Sequence, residues 1–155
     1  MNREDLILLA DKITRPDSEA SDEYSRNIDL MTAEMNRKMS NLPDLEELIG
    51  PDNLQSMIDN HSNHGRFMHS LFTNFKPEVL VDTVIWVMRA YQARGFRKKY
   101  WEVQLKTWTD IFKKHLSPHA YASISPVYYF ILKNLNTFEF LANQESIPMD
   151  QKNYH

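Results

Sequence analysis

The sequence contains no cysteine and very little glycine. Without cysteine, neither a disulfide-stabilised scaffold nor a zinc site built from thiolates is available. Only 3 of the 155 residues are glycine, so a glycine-rich phosphate-binding loop cannot be formed and turn signals are scarce. This composition favours a helical protein over a sheet protein.

Long apolar runs are also missing. The apolar run from Val84 to Met88, for example, is far shorter than the roughly 20 residues that a membrane-spanning helix needs. The N-terminal residues MNRED are not followed by the long apolar segment of a secretory signal. We therefore expect a cytoplasmic protein without a membrane span.

Basic charge is limited as well. The formal net charge is -3, whereas a nucleic-acid-binding domain normally presents a basic face. The one dense basic stretch, RGFRKK at 94–99, is interpreted as the solvated start of a helix. We expect no nucleic-acid partner.

Motifs of catalysis and metal binding are absent. There is no GxSxG, no cysteine nucleophile, no HExxH and no carboxylate pair that can be assigned to hydrolysis. His61 and His64 are three residues apart on a predicted helix but have no third ligand, and we expect both to be solvated. His69 is expected to be hydrogen-bonded on the same helix. The sequence predicts neither an enzyme nor a metal site.

Hydrophobic periodicity predicts an all-α domain spanning residues 1–155, with about six to seven helices. The residues at 15–21 are interpreted as a linker, and those at 144–155 as a flexible tail. The predicted helices are 3–13, 22–39, a single turn at 44–49, 53–74, 78–94, 96–116 and 126–143. The second carries one apolar stripe with Tyr24, Ile28, Met31, Met35 and Met39, and Asp52 is the predicted cap of the helix at 53–74. Ser117-Pro118 and Ser125-Pro126 each combine a capping serine with a proline in the first turn, so a short turn at 119–123 could precede the last helix.

The helix predicted at 78–94 is apolar almost all the way round, which is typical of a buried central helix. Arg89 lies in its middle, and an unpaired guanidinium buried there would cost several kcal/mol, of order 3–5. Its candidate partners are a carboxylate of another helix, the carbonyls at a helix C-terminus or a bound anion. It could also reach the surface.

Large aromatic rings and methionines are abundant, and they suit a packed core, a cavity or a self-association face. The last predicted helix is more apolar than one small body requires, which indicates a homodimer with a four-helix bundle at its two-fold axis. The candidate interface residues are Tyr128, Leu132, Leu135 and Phe138.

The residues WVMRAYQARG at 86–95, followed by Tyr100, Leu105, Trp108 and the LSP at 116–118, resemble a bacterial family of non-haem globin-like sensor domains. Members occur at the N-termini of sporulation histidine kinases, and some are stand-alone sporulation-inhibitory proteins of bacilli. The resemblance covers roughly residues 51–141. Residues 1–41 are less covered and are interpreted as an N-terminal helical extension.

The resemblance implies a globin-like dimer with an apolar tunnel that takes a fatty acid rather than haem, and a small anion such as chloride is associated with such pockets. It also implies a role in which the protein titrates the signal away from a sensor histidine kinase and so inhibits sporulation. No cofactor is expected. The candidate ligand-binding residues are Arg89, His69, Trp86, Tyr91, Tyr100, Trp108 and Tyr129.

Two alternatives remain open at this point. A haem-binding globin sensor would need a proximal histidine, for which His69 and His115 are the plausible positions. A protein-interaction adaptor without a ligand would have a solid core. An internal cavity is the feature that distinguishes a ligand-binding domain from such an adaptor.

Overall fold

The computed structural model describes residues 1–144, which form eight α-helices and no β-strand. The predicted all-α class is confirmed, while the number of helices within this range exceeds the predicted six to seven. Most of the predicted flexible tail at 144–155 lies outside the described residues. The helices are α1 (Arg3–Asp11), α2 (Ser18–Ser40), α3 (Leu45–Ile49), α4 (Leu54–Thr73), α5 (Pro77–Gln92), α6 (Lys98–His115), α7 (Pro118–Lys133) and α8 (Leu135–Asn143).

Helix α2 begins earlier than the sequence pattern predicted. The carboxylate of Asp17 accepts a hydrogen bond from the backbone N–H of Ala20 at 2.8 Å, which caps the helix at Ser18. The predicted linker at 15–21 is therefore wrong from residue 18 onward. The predicted apolar stripe is confirmed, since Tyr24, Met31 and Met35 are fully buried.

The first 40 residues form part of the helical body. Helix α1 packs against α5, and α2 packs against α4, α6 and α7. Gly65 of α4 permits a close approach of α2, because a Cβ there would lie 3.0 Å from Cδ1 of Ile28. The hydroxyl of Tyr24 donates to the carbonyl of Gly65 at 3.0 Å across the same contact. The predicted N-terminal extension is thus one wall of the core.

The turn between α5 and α6 is tied to the end of α3. The side-chain amide of Asn53 donates to the carbonyls of Ile49 and Arg94, at 2.7 and 2.8 Å. Gly95 has a φ of +110°, which only glycine adopts without strain, as expected from its predicted place after the helix. Asn53, rather than the predicted Asp52, precedes α4.

The C-terminal third differs from the prediction. Ser117 caps α7 as predicted, accepting from the N–H of Ala120 at 3.1 Å, but Pro126 lies inside this helix instead of starting a new one. Ile124, Val127 and Ile131 continue one buried face through the proline, and this burial outweighs the lost backbone hydrogen bond. Asn134 then ends α7, and its side-chain amide donates to the carbonyl of Phe130 at 2.8 Å. The predicted start at Pro126 is therefore wrong, and the helix predicted at 126–143 is divided at Asn134 between α7 and α8.

Helix α5 is buried on one side and only half-buried on the other. The buried side packs against α1 and α8. Arg3 of α1 forms a two-pronged ion pair with Asp82, with Nε to Oδ1 at 2.6 Å and Nη2 to Oδ2 at 2.9 Å. Val84, Val87 and Ala90 are not fully enclosed, so the prediction of a helix buried all round is only partly correct. No helix within residues 1–144 is long and apolar enough to cross a membrane.

Candidate ligand-binding site

A cavity of about 250 Å³ lies among α4, α5 and α6, and the end of α7 and the start of α8 complete its wall. We call it the central cavity. It explains why one side of α5 is apolar yet incompletely buried. Its apolar lining residues are Phe67, Met68, Val84, Trp86, Val87, Met88, Ala90, Trp101, Leu105, Ile131 and Leu135. Its other lining residues are Asp59, Asn60, Asn63, His64, Thr83, Tyr91, Arg94 and Gln104.

The charged lining residues border the opening of the cavity. Asp59 and Arg94 are both exposed. The guanidinium of Arg94 lies over the ring of Tyr91, 4.9 Å from its centroid, and the carboxylate of Asp59 accepts from Nε2 of Gln55 at 3.0 Å. Burial raises the pKa of Tyr91, so this phenol remains protonated near neutral pH. Arg94 is the one lysine or arginine in the lining formed by residues 1–144.

Deeper in the cavity the polar groups are uncharged. Oδ1 of Asn60 accepts from the hydroxyl of Tyr100 at 2.9 Å and from Nε2 of Gln104 at 3.4 Å. Nδ1 of His61 lies 2.6 Å from Oδ1 of Asn36, behind the wall. Burial lowers the pKa of His61 to about 4, which keeps this imidazole neutral at pH 7. These hydrogen bonds of Asn60 and His61 hold the polar middle of α4 in place.

His64 also lies on the cavity wall. Its Nε2 is 2.6 Å from the hydroxyl of Tyr128, and its ring stacks on Trp108 with centroids 5.3 Å apart. Burial lowers the pKa of His64 to about 3, yet the side chain keeps accessible surface because it borders the cavity. His61 is fully buried and His64 is half-buried, so the prediction that both are solvated is wrong.

Several enclosed polar atoms have no hydrogen-bond partner within residues 1–144. These atoms are Thr83 Oγ1, Trp101 Nε1, Gln104 Oε1 and Trp108 Nε1. The first three belong to residues that line the central cavity. Buried polar groups are normally paired, so these four atoms are exceptions, and three of them belong to the wall of the central cavity.

The structure brings some of the predicted ligand-binding residues together at the cavity. Trp86 and Tyr91 line it, whereas Tyr100 and Trp108 are fully buried and support its wall from behind. Arg89 is not a lining residue. It donates to the carbonyls of Ala142, Leu141 and Gln144, which is the helix C-terminus alternative considered for it.

The remaining predicted residues lie elsewhere. His69 stacks on Tyr24, with ring centroids 6.3 Å apart, and His115 pairs with Glu34 through Nε2 and Oε2 at 2.6 Å. Tyr129 is 51% exposed, and its hydroxyl bonds to that of Tyr121. Neither histidine considered as a proximal haem ligand reaches the central cavity. No cluster of three or more His, Asp or Glu side chains suited to a metal occurs in residues 1–144.

The candidate dimer residues divide into two groups. Tyr128 and Phe138 have no exposed surface in the single chain, so they contribute nothing to a face that a second copy can reach. Leu135 is 8% exposed and lines the central cavity, and Leu132 is half-buried beside the exposed Tyr129. The dimer itself stays a prediction.

Sequence reasoning missed Asn60, His64, Gln104 and Arg94 as site residues. One signal was present, because the stretch 59–66 is unusually polar for the middle of a long helix, and Asn60 and His61 there are buried. Gln104 and Arg94 gave no such signal.

Comparison with known proteins identified no relative of this chain. No family model, curated protein or solved structure matches this chain. The globin-like arrangement and membership of the sensor-domain family therefore stay predictions from the sequence.

Proposed function

We propose that this protein is a non-enzymatic sensor domain that binds a fatty acid in the central cavity. The observation that carries the proposal is an apolar cavity of about 250 Å³ with the cationic side chain of Arg94 at its opening. Ligand pockets typically measure about 300–1,000 Å³, so this small volume favours a fatty acid of medium chain length. The cavity also argues against an adaptor with a solid core.

The apolar wall supplies the affinity in this proposal. Each methylene transferred from water to such a wall contributes about 0.8 kcal/mol, so eight of them contribute about 6 kcal/mol. The fatty acid loses conformational and translational freedom when it binds, and this entropy cost cancels part of the gain. The head group is therefore needed to reach a micromolar dissociation constant, which corresponds to about -8 kcal/mol.

Arg94 is the proposed partner of the carboxylate. A guanidinium binds a carboxylate through two parallel hydrogen bonds, and the ring of Tyr91 already holds this one at the opening. Arg89, predicted for this role from the sequence, donates from Nε and Nη2 to the carbonyls of α8 and does not line the cavity. A small anion such as chloride would compete with the carboxylate at Arg94.

The biological role follows from the resemblance stated above. We propose that the protein inhibits sporulation by withholding the fatty acid from the sensor domain of a histidine kinase. A protein that acts in this way lowers the concentration of free signal. The support for this step is the resemblance of residues 86–118 to the family, together with the central cavity, which is lined in part by residues of this same segment.

Native mass spectrometry of gently purified protein, combined with organic extraction, tests ligand binding. We expect a bound fatty acid in the unmodified chain and its loss in Ala90→Phe, whose ring would fill the cavity. Ala33→Phe is the matched control, because Ala33 is exposed on α2. Circular dichroism establishes that both variants are folded. An apo mass and no extracted acyl chain from the unmodified protein would refute the proposal.

A reconstituted kinase assay tests the role. Adding the protein should shift the kinase response to higher fatty acid concentrations, and saturating fatty acid should abolish the effect. Ala90→Phe should leave the response unshifted. An inhibition that persists at saturating ligand would instead indicate direct contact with the kinase and would contradict titration.

A further inference from the structure

The hydrogen-bonding state of His64 can be assigned from its neighbours. Nε2 lies 2.6 Å from the hydroxyl of Tyr128, and this hydroxyl has no other partner within residues 1–144. Tyr128 is fully buried, so its O–H hydrogen must be donated to Nε2 or remain unpaired at a cost of about 1–3 kcal/mol. Nε2 is therefore the acceptor. A neutral imidazole carries one hydrogen, which then resides on Nδ1.

This assignment leaves a donor without an acceptor at the cavity wall. Burial lowers the pKa of His64 to about 3, so the ring is neutral at pH 7 and Nδ1 carries its one N–H. Nδ1 has no hydrogen-bond partner in the described part of the chain. The side chain lines the central cavity and keeps accessible surface there. The contents of the cavity are the available acceptor.

The surroundings of His64 select an uncharged acceptor. The buried polar side chains of the lining are the amides of Asn60 and Gln104 and the hydroxyl of Thr83, all of them uncharged, whereas Asn63 accepts from the exposed Arg66. Arg94, the cation of the lining, is exposed at the opening. A carboxylate next to His64 would have no counter-charge from the lining that residues 1–144 form there, which is costly in an apolar cavity. A hydroxyl or ketone oxygen needs none.

We propose that the preferred ligand is an oxygenated fatty acid, whose carboxylate binds Arg94 and whose second, uncharged oxygen accepts a hydrogen bond from Nδ1 of His64. This inference rests on the proposed fatty acid site and specifies the ligand class within it. His64 is the residue that distinguishes such a ligand from a plain fatty acid, and Tyr128 is the residue that positions the His64 hydrogen.

Calorimetric titration of the delipidated full chain tests the preference. The probes are decanoic acid, 10-hydroxydecanoic acid and 8- and 9-oxodecanoic acid. At least one oxygenated probe should bind roughly fivefold to tenfold more tightly than decanoic acid, the factor expected for one hydrogen bond between neutral groups. His64→Phe should abolish this preference. His69→Phe is the control on the same helix and should retain it, because His69 lies away from the cavity.

The outcomes separate the two proposals. Equal binding of decanoic acid and all oxygenated probes would overturn the inference and leave the fatty acid site intact. Binding of none of the probes would overturn both. A preference that survives in His64→Phe would show that another residue binds the second oxygen of the ligand, which also overturns the inference.

A second measurement does not depend on the folding of the His64 variant. Nitrogen-15 NMR of the unmodified protein should show His64 with its hydrogen on Nδ1, and the Nδ1 resonance should move on adding the oxygenated probe but not decanoic acid. In Tyr128→Phe the hydrogen should redistribute between the two nitrogens. A hydrogen on Nε2 in the unmodified protein would contradict the assignment.

Discussion

The guanidinium of Arg89 donates from Nε to the backbone carbonyl of Ala142 at 3.0 Å. Its Nη2 donates to the carbonyl of Leu141 at 3.1 Å. The last carbonyls of a helix lack partners within the helix and carry partial negative charge, so an arginine is well suited to bind them. Arg89 therefore fastens the C-terminus of α8 to α5, and the charged residue in the apolar helix has a structural partner.

Replacing Arg89 with alanine should destabilise the fold without emptying the cavity. The lost hydrogen bonds to partly buried carbonyls should lower the free energy of unfolding by about 1–3 kcal/mol. Urea denaturation measures this loss, and extraction of the folded variant measures the bound fatty acid. Arg94→Ala is the contrasting variant, with nearly unchanged stability and less fatty acid. Loss of ligand from Arg89→Ala at unchanged stability would restore Arg89 as the head-group residue.

The ion pair between Arg3 and Asp82 should contribute to the docking of α1 on α5. Arg3 is 44% exposed, which weakens the interaction, whereas the side chain of Asp82 is only 13% exposed. A double-mutant cycle with Arg3→Ala and Asp82→Asn should give a coupling energy of about 1 kcal/mol. The same cycle with Arg15→Ala and Asp11→Asn, an exposed pair within one segment, should give less. Equal couplings would contradict a special role for the inter-helix pair.

Stability should fall as the pH drops below about 6.5, before carboxylates titrate. Burial lowers the pKa of His61 to about 4 and of His64 to about 3, from 6.5. At pH values between 6.5 and these lowered pKa values, the two histidines bind protons in the unfolded chain but not in the folded chain. Unfolding therefore becomes easier toward acid, by about 1.4 kcal/mol per pH unit for each histidine.

Urea denaturation at pH 7, 6 and 5 measures this slope. His64→Phe should reduce it. Glu102→Gln should leave it unchanged between pH 7 and 5, because the hydrogen bond from Lys106 lowers the pKa of Glu102 below its ordinary 4.5 and no histidine contacts this carboxylate within residues 1–144. The stability contributed by that carboxylate is lost only below about pH 4.5. A flat profile from pH 7 to 5 would show that the two imidazoles are not kept neutral.

If the predicted homodimer forms through α7, Tyr129 is the residue to change. It is 51% exposed and lies beside Leu132 in a surface groove with Lys98 and Lys106. Tyr129→Asp should convert the dimer to a monomer, as measured by light scattering after size exclusion. Leu30→Asp on α2, at a side chain 56% exposed, should leave the mass unchanged. An unaltered mass for Tyr129→Asp would place the interface elsewhere.

Helix boundaries that rest on local chemistry were predictable. Ser117-Pro118 combines a capping hydroxyl with a proline in the first turn, and both act within a few residues of sequence. Gly95 similarly marks the end of α5 through its positive φ. Ser125-Pro126 carries the same local signal but fails to start a helix. Packing of Ile124 and Val127 on the body overrides it, and such packing is not visible in the sequence.

The sequence by itself determined the helical class, the apolar stripes and the presence of a charged residue in an apolar helix. These properties follow from composition and from the 3.6-residue period, which act along the chain. Only the tertiary structure decided what Arg89 binds, which histidine borders a cavity and where that cavity opens. Those outcomes depend on residues more than 50 positions apart, such as Arg89 with Ala142 and His64 with Tyr128, and no local rule specifies their meeting.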